Sequence, residues 1–123
     1  MLLILDDVIS EREASGSHAL QTLFVTGRHL KVCGVLATQH VTSRTYPPVL
    51  RNNTDVVFCF AQSSEDAVDI VVSQWMTGAG TRREGVDRLH AVTRAARYQT
   101  LVIDCKRVQL SNNLRDRHAG RPA

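Results

Sequence analysis

Four short apolar runs punctuate the chain: LLIL at 2–5, VCGVLAT at 32–38, DVVFCF at 55–60 and TLVID at 100–104. Each is nearly continuous in apolar or β-branched residues rather than alternating. That is the pattern of strands covered on both faces, as in a parallel sheet. Between the first two runs, Ser15 or Ser17 is placed to cap a helix. Its apolar positions Ala19, Leu20, Leu23 and Phe24 recur at helical spacing, and Gly27 can end it. Strand, helix and strand at this spacing predict a βαβ unit. Pro47 and Pro48 exclude helix before them, and a short turn over 49–53 leads into the third run. SSEDAVDIVVSQWM, 63–76, starts with a Ser-Ser cap and acids in its first turn, which predicts a helix to about Met76. Gly78 and Gly80 break it, and 82–97 predicts a further, basic helix. Alternating strands and helices predict an α/β class with a parallel sheet. After Asp104 the chain turns polar and Arg-rich, with Gly120 and Pro122, so 105–123 is expected to be a disordered basic tail behind a folded portion, 1–104. No internal repeat interrupts this organisation.

Length and composition restrict the classes. A chain of 123 residues, 43% apolar and 22% charged, is that of an ordinary globular protein with one modest core. No apolar run is long enough to span a membrane, and the first residues lack the basic segment of a signal peptide. Cys33, Cys59 and Cys105 are odd in number, form no CxxC and lie in apolar stretches. They are expected to be buried thiols in a reducing, intracellular setting. There the Asn52-Asn53-Thr54 sequon is a chance match. Charge is uneven: residues 1–81 hold five Lys and Arg against eight Asp and Glu, net −3, while 82–123 hold ten against four, net +6. A basic final third suits a polyanionic partner or a solvated surface equally well.

The chemistry concentrates at strand ends. Ligands of parallel α/β sheets bind beyond the carboxyl ends of the strands. Asp6 and Asp7 close the first run, and a carboxylate pair there is expected to face a cation or a solvated cleft, because burying it unpaired is costly. A hydrophobic strand ending in two acids matches a Walker B element, in which one acid supports Mg²⁺ and the next polarises the attacking water. A strand followed by an acidic turn is the plain alternative. Thr38-Gln39 closes the second run, and Gln39, with both a donor and an acceptor, can hold a lytic water or touch a γ-phosphate. Arg28, in the TGRH turn, suits phosphate charge or a local ion pair.

Taken together, LLILDDV, FVTGRHLKVCGVLATQH, PPVLRNNTDVVFCF and SSEDAVDIV resemble the second half of a FtsK–HerA superfamily P-loop ATPase, most closely the poxvirus-type DNA-packaging ATPases of large DNA viruses. The likeness covers about residues 1–72 in unbroken order. It implies a partial RecA-like parallel sheet flanked by helices. It makes Asp6 the Mg²⁺-associated acid, with the metal held through water. It makes Asp7 the catalytic acid and Gln39 the sensor on the adjoining strand. Arg28 becomes the candidate for an arginine finger acting on a neighbouring subunit. Arg51 is the alternative, in a segment with Asn52 that would line a subunit interface or contact DNA, and the basic region 82–123, with Arg82, Arg83, Arg88, Arg94 and Arg97, would face DNA or a neighbour, or its helix, with Ala91, Val92 and Ala95 between the arginines, would pack on the sheet. The implied activity is ATP-driven packaging of double-stranded DNA into viral capsids, by a ring that meets portal or vertex proteins, in the host cytoplasm, a viral factory or the virion.

One departure limits this. No GxxxxGK[ST] occurs, and TGAGTRREG at 77–85 has neither the Gly-Lys-Ser/Thr nor the strand-to-helix setting of a phosphate loop. Residues 1–104 are therefore expected to be the C-terminal portion of such an ATPase domain, from Walker B onward and lacking the phosphate-loop strand. ATP and Mg²⁺ would be held only with the missing half, and this chain alone is expected to lack turnover. The third strand should face a gap or collapse onto the second, leaving apolar surface open. Three other readings remain: a cellular DNA translocase or conjugation-type ATPase, a non-catalytic α/β module that binds DNA or motor subunits, and an unrelated α/β domain.

Overall fold

The computed structural model describes residues 1–7, 17–39, 41, 47–78 and 80–106, and the backbone of 109–112. The chain folds as two compact units, 1–54 and 55–123, a division that its length and composition do not signal.

The first unit is the predicted βαβ. Strand β1 (Leu2–Asp6) pairs in parallel with β2 (Cys33–Ala37), in a register that runs from Leu2 opposite Cys33 to Asp6 opposite Ala37. Helix α1 (His18–Thr26) connects them. Ser17 occupies its N-cap position but makes no side-chain cap bond, and Ser15 lies outside the described residues. Gly27 ends the helix in right-handed geometry, and the left-handed residue of the turn is Lys31 at φ 53°. The expected turn after Pro47 is a one-turn helix, α2 (Pro48–Asn52), because Pro48 at its first position lacks only an N–H that would be unpaired anyway. Buried Leu20 and Leu50 gather Leu5, Leu23, Phe24, Leu36 and Val49 into a core.

That core uses one face of the parallel pair. Leu3 and Leu5 alternate inward with Leu36, while Leu2 and Ile4 stay 61% and 62% exposed, beside exposed Cys33, Val35 and Ala37. The continuous apolarity of these runs thus does not mean cover on both faces here. The open apolar surface here is a face of β1 and β2, whereas a missing strand would open an edge.

In the second unit, β3 (Val56–Cys59) leads to α3 (Glu65–Trp75), α4 (Arg82–Thr93) and β4 (Leu101–Asp104), and β5 (Gln109–Asn112) follows. The sheet order is β3-β4-β5 and both pairings are antiparallel. The expected continuation of a parallel sheet through TLVID is therefore corrected. A parallel pair needs a crossover that carries the chain back to the start of the first strand. The two helices α3 and α4 return the chain to the end of β3, where Thr100 Oγ1 donates to the Cys59 carbonyl at 3.1 Å. Among the described residues β3 pairs with β4 and not with β2. All four residues of β4 are buried, so that run's apolarity does reflect cover on both faces. Within the segment expected as a tail, 109–112 forms a strand; residues 113–123 lie outside the described residues.

Ser64 caps α3 as expected, accepting from Ala67 N. α4 starts from a reciprocal capping box. Thr81 Oγ1 accepts from Glu84 N, and Glu84 Oε2 accepts from Thr81 N at 2.6 Å. It ends at Thr93, earlier than the expected 97. Gly85 lies against Val72, so the two helices approach where α4 has no side chain.

Candidate functional site

β1 and β2 run side by side in register, so their carboxyl ends coincide. Asp6 is opposite Ala37, and the Asp7 N–H donates to the Ala37 carbonyl at 2.9 Å. Gln39 follows β2 by two residues, which brings Asp6, Asp7 and Gln39 to one end of the sheet. All three are exposed. Asp6 falls on the same sheet face as Leu2 and Ile4, so the open apolar face leads directly to its carboxylate. Asp7 has φ 56°, left-handed geometry that Asp tolerates better than most residues. This turn separates Asp7 from the strand and gives the two adjacent acids different settings. An exposed carboxylate pair needs no buried counter-charge, and it fits a cation held through water. No cluster of three or more His, Cys, Asp or Glu that would cage a metal occurs among the described residues.

The structure does not bring Arg28 to this end. The Met1 ammonium donates to Lys31 O, Cys33 N donates to Met1 O, and Lys31 N donates to Arg28 O. Arg28 therefore sits exposed at the amino ends of the strands, a full strand length, about 13 Å, from Asp6. The structure thus leaves Arg28 at the end of the sheet away from Asp6 and Asp7 of its own chain. Arg51, in α2 next to buried Leu50, has a buried Nε with no hydrogen-bond partner among the described residues. Asn52 is exposed at the end of that helix. The neighbouring Asn53 and Thr54 side chains, which the sequence did not single out, close the helix by donating to Val49 O and Leu50 O at 2.8 and 2.7 Å.

Arg82 and Arg83 lie in the second unit, in the first turn of α4. Arg82 pairs with Asp69 of α3, and this contact raises its pKa further. The pair ties α3 to α4, which is a structural use of Arg82. His90 lies 4.0 Å from Glu65, also across α3 and α4.

The thiols differ from expectation at one position. Cys59 is buried, and burial pushes its pKa up to about 11 against a smaller opposing effect of Gln62. Cys105 is half-buried, and burial and then Asp104 and Asp55 raise its pKa. Cys33 is exposed, because it opens β2 on the uncovered face.

No family model matches the chain. It is 38% identical over 65 residues to uncharacterized protein 075L of Invertebrate iridescent virus 6, a match that covers 53% of this chain and 24% of that protein. Two solved structures share its fold. One is B204, the DNA-packaging ATPase from Sulfolobus Turreted Icosahedral Virus, with a TM-score of 0.68 and 16% identity. The other is the genome packaging NTPase B204 from Sulfolobus turreted icosahedral virus 2, in complex with ATP-gammaS, with a TM-score of 0.67 and 15% identity. Each likeness covers 91% of this chain and 50% of the other, so the chain spans about half the length of these structures. No helix among the described residues is long and apolar enough to cross a membrane.

Proposed function

We propose that this chain is the Walker B half of a nucleotide-driven motor that packages double-stranded DNA into viral capsids. The observation that carries the reading is the parallel register that sets Asp6, Asp7 and Gln39 together at one sheet end. The fold shared with two packaging NTPases supports it, one of them bound to ATP-gammaS. In the proposal Asp6 would hold Mg²⁺ through water, and the metal would supply charge neutralisation for the ATP phosphates. Asp7 accepts the proton of the attacking water, and Gln39 orients that water. The amide cradle and the phosphate-pairing lysine come from a phosphate-loop half that this sequence does not contain. Arg28 reaches a neighbouring subunit of a ring, with Arg51 as the alternative, and Asn52 lies at the same interface or on DNA. The ring works with capsid portal or vertex proteins, in a viral factory or the virion.

The test is ATP hydrolysis by the gene product that carries this chain together with a phosphate loop. Asp7→Asn should lower turnover about 100-fold or more, as loss of a general base does. Undiminished turnover would remove Asp7 from the mechanism. One observation favours a second reading for the chain by itself: it has no GxxxxGK[ST]. Alone it would act as a non-catalytic module that binds DNA or intact motor subunits.

A further inference from the structure

The loop between α4 and β4 holds a cluster that the nucleotide reading does not use. Tyr98 is 78% exposed and has φ 63°, a backbone conformation rare for a bulky side chain. The Arg97 guanidinium lies 5.1 Å from the centroid of its ring. Arg94, the C-cap residue just after α4, is exposed four positions earlier than Tyr98. From Arg88 to Ile103 the chain has no Asp or Glu, yet it holds Arg88, His90, Arg94 and Arg97. Acids packed against this helix lie before the loop: Glu65 faces His90, one turn ahead of Arg94, and Asp69 is taken by Arg82 at the opposite end.

A guanidinium stacked on an aromatic ring engages the ring through its flat face. Its in-plane N–H groups stay free, and they match phosphate oxygens two at a time. Tyr98 holds a strained backbone while its ring adds nothing to the core, which suits a platform for Arg97 rather than a packing role. We propose that Arg94, Arg97 and Tyr98 form a contact for the phosphate backbone of duplex DNA. Arg94 and Arg97 each meet a phosphate, and Tyr98 is the positioning residue that orients Arg97. The proposal rests on the DNA-handling reading above, and it narrows the contact from the whole basic region, Arg82 onward, to the end of α4 and the loop that follows it.

The test is titration of a labelled duplex with the full chain, by fluorescence anisotropy, from about 50 to 200 mM salt. Arg94→Ala and Arg97→Ala should each flatten the slope of log K against log salt by about one. Tyr98→Gly suits a positive φ and so keeps the loop while deleting the ring; it should flatten the slope as Arg97→Ala does. Tyr98→Phe should keep the wild-type slope, and so should Arg83→Ala. Wild-type slopes in Arg94→Ala, Arg97→Ala and Tyr98→Gly would overturn this contact and leave the DNA reading standing. A flattened slope in Arg83→Ala with none in the loop variants would return the contact to the start of α4. Wild-type protein that shows no salt-dependent binding would overturn both.

Discussion

The three thiols occupy three environments, and their reactivity follows from them. The thiolate is the reactive form, and burial holds Cys59 protonated with a pKa of about 11. Alkylation of the native protein near pH 8 should label exposed Cys33 first and Cys59 only after unfolding, as peptide mapping by mass spectrometry will show. Equal labelling of Cys59 in the native state would contradict its burial. Asp7 shows a second residue-scale effect. Its left-handed φ of 56° suits Asp, Asn or Gly. Asp7→Asn should therefore keep the native melting profile, so a loss of turnover in that variant reports chemistry and not folding. The acids themselves are legible in LLILDD; the left-handed turn between them is not, because it depends on the bond from Asp7 N to Ala37 O across the sheet.

At the scale of elements, α4 depends on its first turn. The Thr81 backbone N–H, and then its hydroxyl, hold the Glu84 carboxyl below its ordinary value of 4.5. A folded-state pKa below the unfolded one means that the contribution is complete above pH 4.5 and is lost as pH falls through the lower value. Urea midpoints of wild type and Glu84→Ala should differ at pH 6 and converge on acidification toward pH 3. Thr81→Ala should cost about 1 kcal/mol, as loss of an N-cap does. Gly85 is a close approach of α3 and α4, since a Cβ there would sit 2.7 Å from Val72 Cγ1. Overpacking of this kind costs about 1–3 kcal/mol, and the better helix propensity of Ala offsets up to about 1. Gly85→Ala should therefore lower the urea midpoint. The Thr-x-x-Glu cap stands in the sequence at Thr81 and Glu84, whereas the Gly85 contact exists only once the two helices pack.

The whole molecule is marked by its uncovered surface. A parallel sheet is ordinarily covered on both faces, and here Leu2, Ile4 and Val35 are bare. Phe58 and Phe60 are likewise exposed in and after β3, an edge strand that carries no charge or proline to deter pairing. The chain alone should self-associate in light scattering and bind a hydrophobic dye. Leu2→Thr with Ile4→Thr should reduce both while retaining secondary structure by circular dichroism. A sharp, reversible melt of a dye-free monomer would show that these faces are not a liability.

The order and type of most elements follow from the chain by itself, because apolar runs, Ser caps and helix-breaking residues act over a few residues. That Asp6, Asp7 and Gln39 lie on the same side of the sheet follows too, since two strands joined by one crossover helix run in parallel; their register, which brings them level, is set by the pairing of β1 with β2. What only the tertiary structure decided is which faces are covered and which way the fourth strand runs. Two helices between β3 and β4 turn that strand antiparallel, and burial of β4 on both faces but of β1 on one separates runs that look alike in sequence. Burial depends on what packs against a strand from far along the chain, and strand direction on which end of its partner the returning chain meets; an apolar run carries no record of either.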